Sequence, residues 1–277
     1  MIDATEHAGE DRFSFTAFSQ HPFFTQVNQW LVDRAVTAEQ KLIVDLGCGP
    51  GAVTRLILDR LGEAAHHVRV VGVDPSATAL ARARDSIKSR LVEFVEGSAE
   101  WLSRLVNGAD AVIFLNAIHL VRDKAQVLGE IRRSLKPGGL LAFNTTFFNG
   151  AYVEGTGAFW RRWVVRAAQA LRERGITVKH DHDNKAMAMQ WLTAADYTAA
   201  CAAHGLKPVT TELVEVQMTR ESLRDIGRFS LFIEGALPGV PLEDGAWALE
   251  QGLERAMEET GKTSLPRNWL ECVVQAA

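Results

Sequence analysis

The 277-residue sequence has few cysteines, no long hydrophobic run and no excess of positive charge. Its three cysteines are scattered without paired spacing, which argues against a disulfide framework and predicts a reducing, cytoplasmic location. No stretch approaches the roughly 18 apolar residues of a membrane-spanning helix, and the polar, acidic N-terminus is unlike a secretory signal. A net charge of −4 favours neither nucleic acid nor an anionic membrane as a partner. We expect a monomer or homodimer that acts on a small molecule.

The sequence does contain enough apolar residues, 47%, for one large α/β domain over residues 1–277. Its strongest motif lies at residues 43–51, where a β-branched apolar run leads into three glycines spaced two apart, Gly47, Gly49 and Gly51. Apolar residues then recur with helical spacing from Ala52 to Leu61. A buried strand, a glycine turn and a helix form the first half of a nucleotide-binding βαβ unit.

Two cofactors compete for this loop. Gly47, Gly49 and Ala52 satisfy the dinucleotide pattern, so an NAD-dependent oxidoreductase is one alternative. Asp45 disfavours it, because a carboxylate two residues before the first glycine would lie beside a pyrophosphate. A carboxylate suits a ligand that carries an ammonium and a sulfonium and no phosphate. The run D-x-G-x-G-x-G resembles motif I of the class I methyltransferases that use S-adenosylmethionine (SAM).

Two further features resemble that family. Asp74 follows the strand predicted over residues 68–73, where an acidic side chain can accept both ribose hydroxyls of an adenosine. The run Leu-Lys-Pro-Gly-Gly at residues 135–139 resembles the turn before strand five, predicted over residues 140–143. The resemblance covers about residues 41–146. It implies a Rossmann-like, mostly parallel seven-stranded sheet of order 3-2-1-4-5-7-6 with helices on both faces, in which the strand predicted at residues 268–274 is antiparallel.

The resemblance also implies a set of cofactor-binding residues. Asn116 matches the motif IV position, whose backbone or side chain holds the methionine part of SAM. Ser98 departs from the family, because relatives usually have an aspartate there to accept from the adenine amine. The full set is Asp45, Gly47, Cys48, Gly49, Gly51, Asp74, Pro75, Ser98, Ala99 and Asn116.

Methyl transfer needs no metal, so the candidate catalytic residues are bases. His119 is the first choice, because it follows the fourth strand at the edge of the sheet where ligands bind. Tyr152 and His180 come next. His180 belongs to a His-Asp-His-Asp run at residues 180–183, which we interpret as a polar loop rather than a cation site. We therefore expect no metal cofactor.

The rest of the chain predicts substrate-binding segments around a SAM-binding core at residues 41–146. These are an N-terminal lid helix (13–36), a cap insertion (147–192), and a C-terminal half of the sheet (193–277) that contains an insertion at 228–266. Single helices are predicted over residues 77–89 and 220–232. Aromatic residues in these segments favour an apolar pocket. The candidates for contacting the substrate are Phe24, Phe148, Tyr152, Trp160, Phe229 and Phe232.

These features predict a transferase that moves a methyl group from SAM to a small, largely apolar molecule, by O- or C-methylation. A role in natural-product biosynthesis is an expectation from the resemblance. A SAM-binding protein that uses its pocket for a non-methylating reaction, such as a cyclisation, is the second alternative.

Overall fold

A computed structural model describes residues 13, 15–62, 65–176 and 191–277. Seven strands form one sheet in the order β3-β2-β1-β4-β5-β7-β6, which confirms the predicted order. Strand β7 is antiparallel to β5, also as predicted. The strands are β1 Leu42–Leu46, β2 Arg69–Asp74, β3 Val92–Glu96, β4 Ala109–Leu115, β5 Leu135–Thr145, β6 Leu206–Thr219 and β7 Ser264–Ala276.

Helices connect the strands, and short 3-10 turns occur at Ala99–Trp101 and Ile118–Leu120. None of the described helices is both long enough and apolar enough to cross a membrane. The α-helices of the described part of the chain are α1 Thr16–Ser19, α2 Pro22–Ala35, α3 Ala52–Leu61, α4 Ala77–Ser86, α5 Leu102–Leu105, α6 Lys124–Ser134, α7 Gly157–Glu173, α8 Ala194–Ala203, α9 Arg220–Ile226, α10 Ser230–Ala236 and α11 Leu242–Thr260.

The central strands are parallel and buried, which explains their β-branched and apolar composition. In β4, all seven residues are buried. Asp45 of β1 is in register with Gly72 of β2 and Ile113 of β4. The carboxyl ends of these three strands therefore lie along one edge of the sheet, where ligands bind in open α/β folds.

The chain divides into two compact units. The larger contains Gln26–Phe148, Leu192–Val214 and Trp269–Ala277, and the smaller contains the described residues of Met1–Thr25, Asn149–Trp191 and Glu215–Asn268. The core of the larger unit joins helices α2 and α3 to the sheet through fully buried side chains that include Leu31, Ile43, Ile57, Val70 and Ile113. The described residues of the predicted cap (147–192) and of the predicted insertion at 228–266 lie almost entirely in the smaller unit.

Helices α7 and α11 pack closely in the smaller unit. Trp163 of α7 is fully buried, and its indole N–H donates to the Leu249 carbonyl at 2.6 Å. Gly252 of α11 lies directly against the α7 backbone. A Cβ added at this position would be 2.5 Å from Ala167 N and 2.7 Å from Trp163 O. The helix contact therefore depends on the missing side chain at position 252.

Two predicted helices end earlier than their sequences indicated. The helix predicted over residues 77–89 stops at Ser86, because Ile87 becomes extended and its side chain packs where a Cβ of Gly51 would be. The helix predicted over residues 220–232 is in fact two helices, α9 and α10. They are separated at Gly227, whose missing side chain accommodates the Trp163 ring, since a Cβ there would lie 3.1 Å from that ring.

Strand β5 begins earlier than predicted, at Leu135 rather than Leu140. The Lys-Pro-Gly-Gly residues form an irregularity within the strand, because the pairing with β4 jumps from Ala109–Leu135 to Ala111–Leu140. Asp110, at this irregularity, pairs with Lys136 and accepts the Lys41 and Leu42 N–H groups at 2.7 and 2.8 Å. The predicted turn is therefore a bulge whose neighbour Asp110 fixes the start of β1.

A matched pair of glycine substitutions tests the helix contact. We expect Gly252→Ala to lower the free energy of unfolding by about 1–3 kcal/mol or more, because the new methyl group overlaps backbone atoms. Gly129→Ala in α6 is the control: its Cβ would lie 3.4 Å from the flexible end of Arg133, so the gain in helix propensity should raise stability by up to about 1 kcal/mol. Thermal and chemical unfolding measure both. Equal effects of the two substitutions would contradict this packing.

Candidate functional site

The backbone of the glycine loop adopts a conformation that is unfavourable for residues with side chains. Gly47, Gly49 and Gly51 have φ values of 70°, 51° and 94°, all in the left-handed region that favours glycine. The N–H groups of Gly47 and Cys48 donate to the Val73 carbonyl at 2.7 and 3.1 Å. The loop after β1 is therefore tied to the end of β2 by its own main chain.

The loop is packed against protein at two glycines and open at the third. A Cβ on Gly51 would lie 2.6 Å from Ile87 Cδ1, and one on Gly47 would lie 3.3 Å from Ala117 Cβ. A Cβ on Gly49 would have no atom of the described residues within 4 Å. A ligand can therefore approach the main chain at Gly49.

Asp74 joins the ends of the first two strands. Its Oδ2 accepts the Gly49 N–H at 2.8 Å, and its Oδ1 accepts the Ser76 N–H at 2.9 Å. Each carboxylate oxygen keeps a second lone pair, so Asp74 can still accept two hydroxyls. The predicted ribose partner thus lies directly beside the open glycine, with Pro75 exposed next to it.

Asp45 lies beneath the loop rather than on its surface. It is 1% exposed, and its Oδ2 accepts the Thr54 hydroxyl proton at 2.5 Å. This contact supports the first turn of α3, because the glycine that precedes that helix has no capping side chain. Burial raises the Asp45 pKa to about 7, and the nearby Asp74 charge adds to the increase.

Two other predicted cofactor residues have local bonds. Ser98 forms a hydroxyl hydrogen bond with the Glu100 carboxylate and accepts the Glu100 N–H at 3.3 Å, which starts the turn that contains Ala99. Cys48 is buried, and desolvation raises the pKa of its thiol well above the usual value. A thiol with a raised pKa is a poor nucleophile, so Cys48 fits a packing role.

Asn116 ends β4 in a conformation rare for a side-chain-bearing residue. Its φ of 54° is the only positive value of a non-glycine residue in the described part of the chain, and such a conformation costs about 1–2 kcal/mol. Asn144 Oδ1 accepts the Asn116 N–H at 2.7 Å, and Asn28 Oδ1 accepts from Asn116 Nδ2 at 2.8 Å. Trp269 Nε1 donates to Asn116 Oδ1 at 3.3 Å. Buried side chains of the protein therefore stabilise this conformation.

Glu271 extends this network from β7. It is fully buried, pairs across the sheet with Asn144, and accepts from Asn144 Nδ2 at 3.4 Å. Its Oε2 has no hydrogen-bond partner among the described residues. Burial raises the Glu271 pKa to about 9, so the carboxyl group is neutral at pH 7. Sequence reasoning missed Asn28, Asn144 and Glu271, although a glutamate inside the apolar run 269–274 was a signal.

His119 lies in the larger unit, 3% exposed, with its ring 4.5 Å from that of Phe147. Its Nδ1 is 3.1 Å from Thr145 Oγ1, which also accepts the Phe147 N–H at 2.9 Å. The imidazole can act as a base at Nε2 only in the tautomer that carries its proton on Nδ1 and donates it to Thr145. Thr145 thus contacts the nitrogen whose protonation decides whether Nε2 can act as a base.

The remaining predicted residues form separate aromatic groups. Phe148 is buried in the larger unit. In the smaller unit, Tyr152 stacks on Trp160 at 5.1 Å, and Phe232 lies 5.3 Å from Trp163. Phe24 and Phe229 both contact Phe15 there, at 5.6 and 5.0 Å between ring centroids. His180 and the His-Asp-His-Asp run lie outside the described residues.

Arg267, a further residue that sequence reasoning missed, is buried beside these aromatic rings. It is 2% exposed, and its guanidinium carbon lies 4.9 Å from the Trp160 centroid and 5.2 Å from that of Tyr152. Burial lowers the Arg267 pKa from its usual value, but a guanidinium remains charged at neutral pH. The smaller unit thus holds a desolvated positive charge against two of the predicted substrate residues.

Comparison with known proteins locates one family domain. Residues 43–139 match the methyltransferase domain family. Over 119 residues, the chain is 37% identical to trans-aconitate 2-methyltransferase from Azoarcus sp. (strain BH72). This alignment covers 43% of this chain and 44% of that protein. The chain therefore spans less than half the length of this curated relative.

Solved structures show the same fold over nearly the whole chain. A Bacillus halodurans C-125 protein described as a methyltransferase superposes with a TM-score of 0.58 at 17% identity, covering 90% of this chain and 98% of that one. The [4+2]-cyclase SpnF superposes with a TM-score of 0.56 at 17% identity, covering 91% and 81%. These likenesses establish the fold. The chain therefore has a Rossmann-like fold, within which residues 43–139 match the methyltransferase domain family.

Proposed function

We propose that this protein transfers a methyl group from SAM to a small molecule. The observation that supports the proposal most directly is that other groups of the protein accept the N–H groups of the glycine loop. Gly47 and Cys48 donate to a β2 carbonyl, and Gly49 donates to the Asp74 carboxylate. In a dinucleotide fold such N–H groups face the pyrophosphate. Here the protein satisfies them itself, and the open side of the loop presents a carboxylate.

The residues of the loop fit SAM better than NAD. Asp74 can accept the ribose hydroxyls that both ligands share. Asp45 is the residue that separates them, because an acidic group beneath the loop favours a ligand with positive charges and opposes one with two phosphates. SAM supplies a methyl group on a positively charged sulfur, and it needs no metal for the transfer.

The protein's contribution is to orient the acceptor and exclude water. Holding the reacting atoms in line can contribute about 7–11 kcal/mol to lowering the barrier. The buried setting of His119 suits removal of an acceptor proton, which adds roughly 10²–10⁴-fold. His119 accordingly remains our candidate base, with Tyr152 and His180 as the other candidates.

For the acceptor, we propose a small molecule with an apolar body that is methylated on oxygen or carbon, in the biosynthesis of a specialised metabolite. The predicted substrate residues are aromatic, which supports the apolar body. The buried Arg267 charge beside Tyr152 and Trp160 favours an acidic group on the same molecule. The relative named for trans-aconitate is consistent with a carboxylate-bearing acceptor.

A pair of glycine variants tests the cofactor site. Gly49→Ala should abolish measurable SAM binding in calorimetry, because its methyl group would project into the open space at the loop. Gly108→Ala is the matched control: its φ is 74°, a Cβ there also meets no described atom within 4 Å, and it precedes β4 at the opposite edge of the sheet. The two variants should lose similar stability, by about 1–2 kcal/mol, while the control binds SAM normally.

The same titrations with NAD separate the competing functions. Tight binding of NAD by the wild type, without binding of SAM, would refute the proposal. SAM binding without S-adenosylhomocysteine formation across a panel of carboxylate-bearing and apolar acceptors would instead favour the non-methylating alternative, such as a cyclisation.

Proton release on SAM binding tests the role of Asp45. Its pKa of about 7 in the free protein means that it is mostly protonated at pH 6. A cation bound nearby favours the carboxylate, so binding should release close to one proton at pH 6 and affinity should rise between pH 5.5 and 7.5. Calorimetry in buffers of different ionisation enthalpy measures this release. Asp45→Asn should remove it, and an unchanged release would assign the proton to another group.

The base is tested once an acceptor is found. His119→Gln should lower kcat by about 10²-fold or more while the dissociation constant of SAM stays unchanged, because the ring then no longer takes the acceptor proton. Thr145→Val should change kcat in the same direction, since it removes the hydroxyl that accepts from Nδ1. Full activity of His119→Gln would exclude His119 as the base.

A further inference from the structure

The orientation of the Asn144 amide is fixed by the main chain. The Asn116 N–H can only donate, so the group of Asn144 that faces it at 2.7 Å must be the oxygen. The Asn144 nitrogen then faces the opposite way, where it donates to Asn28 Oδ1 at 3.0 Å and to Glu271. Asn28 Oδ1 thus receives protons from both Asn144 and Asn116, which joins helix α2 to the ends of β4 and β5.

This arrangement turns the Asn116 side chain toward the protein interior. Its nitrogen is bound by Asn28 and its oxygen by Trp269. The next residue, Ala117, lies close to the glycine loop. Its Cβ is 3.3 Å from the position that a Cβ on Gly47 would take. Because Asn144 also binds the main-chain N–H, we take the main-chain carbonyl of Asn116 as the group that faces a ligand at the loop.

We propose that Asn28 and Asn144 are positioning residues for the cofactor, because they hold Asn116 in the left-handed conformation in which its main chain binds the amino-acid part of SAM. The inference rests on the proposed function. It gives helix α2 a role inside the cofactor site, through Asn28. It also selects the backbone of Asn116 over its side chain as the ligand contact.

The test is a double-mutant cycle read as SAM affinity. Asn144→Leu and Asn28→Leu should each raise the dissociation constant of SAM by about tenfold or more, because each removes an acceptor that holds Asn116 in its left-handed conformation. Glycine reaches positive φ without cost. In an Asn116→Gly background, therefore, the same two substitutions should change the dissociation constant by less than about twofold.

A stability control separates positioning from general damage. Val273→Ala lies on β7, two residues from Glu271 and in the sheet core, and should lower the melting temperature without changing SAM affinity. If Asn144→Leu does not fold, Asn28→Leu carries the same test, since leucine favours the α2 helix.

Two results would overturn the inference. One is wild-type affinity in both single variants, and the other is a loss of affinity that persists unchanged in the Asn116→Gly background. In either case SAM binding by the wild type would leave the proposed function standing. A wild-type protein that does not bind SAM would overturn the proposed function and this inference together.

Discussion

The hydrogen bond from the Gly49 N–H to Asp74 is the contact on which the ligand-binding edge of the sheet depends. It closes the glycine loop onto β2 and uses a donor that a phosphate-binding loop would keep for its ligand. The left-handed φ values of the three glycines are the conformational requirement of that closure. Because the loop satisfies its own donors, charge at this edge of the sheet comes from carboxylates, and a cationic nucleoside is the ligand that suits it.

Two buried acids illustrate how the site uses burial. Asp45 and Glu271 both have raised pKa values because desolvation penalises their charged forms. Asp45 has a hydroxyl partner and lies next to the loop, so a cation bound there would favour its ionised form. Among the described residues, Glu271 has only the long contact to Asn144, and it stays neutral, which lets it pack inside the sheet as an amide would. The two buried acids thus have different roles: Asp45 can interact electrostatically with a ligand, whereas Glu271 packs as a neutral side chain.

The sequence predicted the parts of the fold that depend on local patterns. The apolar runs located the strands, whereas the sheet order came from the resemblance to the methyltransferase family that the glycine loop indicated. The break at Gly227 and the early end of α4 were not predictable, since they depend on Trp163 and Gly51, which are distant in sequence. The Asn28–Asn116–Asn144 network was missed for the same reason. Its residues are 88 and 28 positions apart, and each asparagine taken alone resembles an ordinary polar residue.

The fold limits the cofactor more strongly than it limits the reaction. A cyclase shares the fold at a TM-score of 0.56, so the reaction cannot be read from the sheet. What distinguishes one reaction from another must then be individual side chains, such as His119 and the aromatic rings around Arg267. A buried guanidinium is costly to desolvate and is retained where a structure or a ligand uses its charge. Carboxylate-bearing acceptors are therefore the class of molecule that we propose to test first, ahead of purely apolar ones.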